Sequence, residues 1–166
     1  MATSATVFLL DKSGSMFYRA EDTVGGFNSF LRDLKKNKPD SLFSLYMFSD
    51  KCECFYDNLK VSDVKDLATD DYVTQGNTAL FDSMGEILLK YSCEVETKFV
   101  ILTDGYENAS RKYTKGAIKD MIKASNMELI YIGADLECAN DLGITRTRHF
   151  DGEDSPAAFE WASQSI

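Results

Sequence analysis

The chain has 166 residues, of which 44% are hydrophobic and 27% charged, and its formal net charge is −9. That length fits one domain, residues 1–166, with a sizeable core, and the composition excludes a disordered or low-complexity chain. An acidic surface with no offsetting basic stripe repels phosphate backbones, so nucleic acid is not expected as a partner.

No apolar run approaches the ~20 residues that span a bilayer, so no membrane partner is expected either. The opening Met1-Ala2-Thr3-Ser4 lacks the basic and apolar regions of a signal peptide. The cysteines at 52, 54, 93 and 138 show no disulfide-type spacing. A reduced, cytoplasmic protein is the expectation, in a host cytoplasm if the origin is viral.

In chain order, Ala5–Leu10 reads as a buried strand. Val24, Phe27, Phe30, Leu31 and Leu34 then recur at helical spacing between about Tyr18 and Lys36. Gly25-Gly26 weakens that helix, and close packing on the sheet is the expected reason. Lys35-Lys36-Asn37-Lys38-Pro39 ends it, because cations suit the helix C-terminus and proline cannot continue it. Leu42–Phe48 is a second strand, and Cys52–Tyr56 reads as its antiparallel partner at the sheet edge. A short helix over Val61–Leu67, a polar segment over Thr69–Asn77 and a helix over Ala79–Tyr91 follow. Lys98–Thr103 is the most continuous buried strand. A helix at Thr114–Ser125, a strand at Glu128–Gly133, a short helix near Leu136–Leu142 and a brief strand around Arg148–Phe150 come next. The last helix is capped by Asp154 or Ser155, with Pro156 in its first turn. Alternating strands and helices, with continuously apolar strands, predict an α/β fold. Its doubly wound, Rossmann-like sheet has six strands, mostly parallel with one antiparallel edge strand, and helices on both faces.

Three segments carry chemistry. Asp11-Lys12-Ser13-Gly14-Ser15 leaves the first strand with one carboxylate and two hydroxyls at alternate positions. Thr78 sits in Gly76-Asn77-Thr78-Ala79-Leu80, and Asp104 follows Val100-Ile101-Leu102-Thr103. All are oxygen donors, the hard ligands that Mg²⁺ and Mn²⁺ prefer. In a doubly wound sheet these segments meet outside the carboxyl ends of the strands, where the strand order reverses.

The set D-x-S-x-S, then Thr, then Asp resembles the metal-ion-dependent adhesion site of von Willebrand factor A domains, also called integrin I-like domains. The strand–helix alternation extends the resemblance over the whole chain. Thr23-Val24-Gly25-Gly26-Phe27-Asn28-Ser29-Phe30-Leu31 is similar to small single-domain members found in bacteria and their viruses. The resemblance implies that Ser13 and Ser15 bind Mg²⁺ or Mn²⁺ directly. Thr78 would bind directly in one state and through water in another, while Asp11 and Asp104 act through water or by orienting the hydroxyls. It further implies a non-enzymatic module in which a protein partner's Asp or Glu carboxylate completes the coordination, with movement of Thr78 and residues 74–77 on binding. Neutral hydroxyls around the ion leave it electrophilic, which suits that role.

Two other functions compete. Asp11 could serve as the nucleophile of a metal-dependent phosphohydrolase, although such enzymes want a second Asp where this chain has Ser13. The domain could also be an assembly subunit with a structural metal site. Among the remaining polar residues, Asp82 reads as a solvated helical carboxylate. Asp50 reads as a turn residue, and Lys12 and Met16 as structural or rim positions. Tyr106, Glu107 and Asn108 read as the border of a ligand surface. His149 has no evident catalytic partner, and Cys52 and Cys54 lack zinc spacing.

Overall fold

A computed structural model describes residues 4–91, 95–150 and 154–166. Strand β1, Ser4–Asp11, lies mid-sheet and is buried along nearly its whole length. Its parallel neighbours are β2, Leu42–Phe48, and β4, Glu96–Thr103. Beyond β4 lie β5, Glu128–Gly133, and β6, Arg146–His149, both parallel. Strand β3, Cys52–Lys60, pairs antiparallel with β2 at the other edge. The order β3-β2-β1-β4-β5-β6 is the expected doubly wound sheet.

Alternate side chains of β1 feed two cores, as strand periodicity dictates. Phe8 and Leu10 join α1 (Ala20–Asn37) and α5 (Ser155–Gln164) on one face. Val7 and Leu9 join α2 (Leu80–Lys90), α3 (Lys115–Ala124) and α4 (Leu136–Asp141) on the other. The first core is aromatic. Phe8 meets Phe27, Phe30 and Phe159 at ring-centroid distances of 5.7, 5.2 and 5.9 Å.

Several local expectations need correction. The first helix does not start at Tyr18. A 3₁₀ turn over Gly14–Arg19 precedes α1 and buries Met16 completely, so of its two readings the structural one holds. Gly26 faces α5 and not the sheet: a Cβ there would lie 2.3 Å from the Phe159 ring, whereas Gly25 faces open space. The Val61–Leu67 helix is only a 3₁₀ turn over Val61–Asp63. Val61, Val64 and Leu67 are all buried, which mimics a helical stripe. Their backbone finds separate partners: Val61 N–H donates to Ser41 C=O at 2.8 Å, and the Asn28 side chain accepts from Leu67 N–H at 2.7 Å and donates to Leu67 C=O at 2.9 Å. Strand β3 runs four residues past Tyr56, because register shifts around Leu45 and a left-handed Asn58 (φ 50°) blur its alternation. Strand β6 starts at Arg146.

Among the described residues no helix is long and apolar enough to cross a membrane. Cys52, Cys54 and Cys138 are free thiols, and Cys93 lies outside the described residues.

Candidate metal centre

Beyond β1 the chain turns toward α1 on one face, and beyond β4 it turns toward α3 on the other. The β1 and β4 carboxyl ends are adjacent, so a crevice opens between the two loops. Asp11 closes β1 and is fully buried. Its Oδ1 accepts from the Ser13 N–H at 2.7 Å, and this local turn throws Ser13 and Ser15 back over the strand end. Its Oδ2 accepts from the Thr103 hydroxyl at 2.6 Å. The two serine Oγ atoms are 3.2 Å apart, and the Ser15 hydroxyl donates to Asp104 Oδ1 at 2.6 Å. A hydroxyl whose proton is taken by a carboxylate keeps its lone pairs for a cation.

Thr78 reaches the crevice from the segment before α2. Backbone bonds run from Gln75 N–H to Lys12 C=O at 2.9 Å and from Gly14 N–H to Gly76 C=O at 3.0 Å, lacing that segment to the Asp11–Ser15 loop. Gly76 has φ +80°, a conformation that glycine adopts without steric penalty. Asn108 clamps Thr78 from both sides: its side-chain oxygen accepts from Thr78 N–H at 2.8 Å, and its own N–H donates to Thr78 C=O at 3.0 Å.

Whether the groups share one space is decided at Gly105. A Cβ on Gly105 would lie 3.2 Å from Thr78 Oγ1 and 3.9 Å from both Asp11 Oδ2 and Ser15 Oγ. Oxygens from the Asp11–Ser15 loop and from the Thr78 segment therefore meet at one point beside Gly105, where a side chain would crowd Thr78. Ser13 and Asp104 join the group through Ser15, so the five expected residues lie in one connected cluster. Among the described residues no cluster of three or more His, Cys, Asp or Glu groups is placed to hold a metal. The set here has two carboxylates, and its other oxygens are hydroxyls. Such all-oxygen donors fit a hard divalent cation.

The electrostatics point the same way. Burial, aided by the like charge of Asp104, pushes the Asp11 carboxyl above its usual range despite the hydrogen bonds from Ser13 and Thr103. A nearby divalent charge would reverse that pressure. Behind Asp11, the Tyr72 hydroxyl donates to the Asp11 carbonyl. Burial, with the charges of Asp11 and Asp104, raises Tyr72 well above the ordinary phenol range, so it remains a donor.

Thr103, Tyr72 and Asn108 were not assigned these roles from sequence. Thr103 shares the end of an apolar strand with Asp104, and Tyr72 is the lone large aromatic in the polar 69–77 segment; those were the available signals. Asn108 remains exposed beside Thr78, while its side-chain oxygen and that of Glu107 also turn inward onto backbone N–H groups. Glu107 accepts from Phe81 N–H at 2.9 Å, Ala109 N–H at 2.8 Å and Ser110 N–H at 2.9 Å, and also from the Ser110 hydroxyl. Asp82 is likewise no solvated carboxylate. It accepts from the N–H groups of Arg111, Lys112 and Tyr113 at 2.9, 2.9 and 2.8 Å. Partial burial opposes its charge, but these donors prevail and hold its carboxyl below the usual range. Asp50 accepts from Asn77 N–H at 3.3 Å, steadying the Thr78 segment, and Lys12 pairs with Glu53 at 3.2 Å. His149 is exposed on β6, away from this crevice in the strand order.

No family model and no curated protein matches the chain. Solved structures do. A von Willebrand factor type A structure from Catenulispora acidiphila superposes with TM-score 0.72 at 17% identity, covering 98% of this chain and 42% of that one. Proximal thread matrix protein 1 from the mussel byssus gives TM-score 0.75 at 19% identity, over 99% and 46% of the two chains. A form of the same mussel protein with a zinc-occupied adhesion-site motif gives TM-score 0.70 at 16% identity, over 99% and 46%. The chain thus spans less than half the length of these structures. It has their fold, that of a von Willebrand factor A domain.

Proposed function

We propose that this von Willebrand factor A-like domain is a metal-ion-dependent protein-binding module and not an enzyme. Ser13, Ser15 and Thr78 would hold Mg²⁺ or Mn²⁺ through their hydroxyls, with Asp11 and Asp104 orienting those hydroxyls and balancing charge. When bound, the ion would supply a Lewis-acidic point charge that accepts an Asp or Glu carboxylate from a protein partner.

The observation that carries this reading is the meeting of Asp11, Ser15 and Thr78 oxygens beside Gly105, with Ser13 and Asp104 bonded to Ser15. The zinc-occupied motif in the mussel protein supports a divalent ion in this fold. Here the cluster holds neither His nor Cys, and hydroxyl and carboxylate oxygens favour Mg²⁺ or Mn²⁺ over softer metals. Asp11 is buried with both carboxylate oxygens engaged, which suits a supporting group better than a nucleophile. Each loop that supplies a candidate ligand also exposes a large apolar side chain: Phe17 and Tyr18, Val73, and Tyr106. Exposed aromatic and aliphatic groups around a polar centre are the make-up of protein interfaces. A reducing, cytoplasmic setting is part of the same proposal.

Calorimetry with Mg²⁺ and Mn²⁺ on the purified chain and on Asp11→Ala tests the first half. Binding by the parent and none by the variant is expected. Affinity capture of proteins with and without chelator tests the second. The reading is lost if neither ion binds, or if capture ignores both chelator and Asp11→Ala.

A further inference from the structure

We propose that Arg19 is a built-in rival of the metal ion: a tethered guanidinium that draws on the same Asp104 carboxylate and holds the site's ion affinity down. The inference rests on the reading of the crevice as a divalent-ion site. Arg19 is the last residue of the Gly14–Arg19 turn that carries Ser15. Its Nη1 donates to the Ser15 carbonyl at 3.1 Å and to Asp104 Oδ2 at 3.4 Å. The carbonyl bond fastens the positive charge to the very turn that presents the Ser15 hydroxyl. Delivery of the guanidinium to the crevice is therefore set by backbone geometry and does not rest on the ion pair alone.

Asp104 then serves two masters. Its Oδ1 takes the proton of the Ser15 hydroxyl at 2.6 Å, and its Oδ2 faces Arg19. The Asp104 side chain is 3% exposed and that of Arg19 28%, so water screens this pair less than an open surface pair. An ion held by Ser13, Ser15 and Thr78 would meet a like charge across one shared carboxylate. Lys12, the cation inside the D-x-S-x-S motif, is turned away to Glu53 at 3.2 Å, leaving Arg19 as the cation aimed at Asp104 among the described residues. A net charge of −9 attracts cations without discrimination. A local positive group offsets that attraction where it matters, so that the crevice fills only when the ion is plentiful.

The test uses the full chain and three sequences: parent, Arg19→Gln and Arg19→Met, the last keeping the apolar stem. Mn²⁺ affinity is read by electron paramagnetic resonance of the free ion and Mg²⁺ affinity by calorimetry, at fixed ionic strength. Both variants should bind either ion at least about fivefold more tightly than the parent, as loss of a like charge at short range requires. As a second readout, the rise in Tm on adding Mn²⁺ should be larger in both variants. Affinity equal to or weaker than the parent's, with no larger rise in Tm, overturns the rivalry while leaving the ion site intact. No ion binding by any of the three removes the ion site and the rivalry together.

Discussion

Two pairs of carboxylates flank the same crevice and have opposite employment. Asp82 and Glu107 are each saturated by backbone N–H groups, three apiece, and pin the β4–α3 loop to the start of α2. Asp11 and Asp104 between them accept one backbone N–H, two hydroxyls and one guanidinium contact. Donors of the first kind belong to the main chain, and they fix a loop. Hydroxyls and a side-chain cation can be shared with or displaced by an incoming ion. The number and kind of donors, more than the presence of an acid beside the site, separates scaffold from ligand.

Four substitutions would break or sharpen that contrast. Asp11→Asn should have the largest effect on binding, abolishing Mg²⁺ and Mn²⁺ uptake in calorimetry. It should leave the ion-free Tm at neutral pH unchanged or raised, because a buried carboxylate pushed above its usual range opposes folding when ionised. Glu107→Ala should do the reverse. It strands partly buried N–H groups at Phe81, Ala109 and Ser110, costs about 2–3 kcal/mol in denaturant unfolding, and leaves Asp11–Ser15 in place. Asp82→Asn should cost about 1–2 kcal/mol, since a neutral amide replaces charge-assisted acceptors. Asn108→Ala should have the smallest effect on stability, with a few-fold loss of ion affinity as Thr78 loses its side-chain acceptor.

The pH dependence of stability follows from Asp82 with a definite sign. Its folded carboxyl lies below its unfolded value, so its contribution is complete above the unfolded value of about 3.8 and is lost as pH falls through the folded one. Acid unfolding of Asp82→Asn should therefore lack part of the parent's loss of stability below about pH 4. Equal acid profiles for the two would place the anchoring elsewhere.

Much of this molecule is written in local pattern. The periodicity of Val24–Leu34 and the continuous apolar strands specify α1 and the central sheet, because burying one face of an element demands a fixed spacing. The five oxygen-bearing residues were visible as a motif set, and strand order then brings them together. Where local pattern misled, a long-range partner had intervened. Val61, Val64 and Leu67 look helical, but Ser41 takes the Val61 N–H and Asn28 holds Leu67 in an irregular path. Gly26 looked like a sheet contact, yet its absent Cβ is the room that Phe159 of α5 occupies.

The sequence by itself determined the α/β class and the parallel sheet with its antiparallel edge, which depend on spacing within a few residues, and it offered the five crevice residues as a motif set. Only the tertiary structure decided that Thr103, Tyr72 and Asn108 brace those five, that Asp82 and Glu107 are anchors, and that Arg19 shares Asp104. Those roles are pairings between residues up to 92 positions apart. Nothing in local spacing encodes them, because it is chain folding, and not chain order, that sets which donor meets which acceptor.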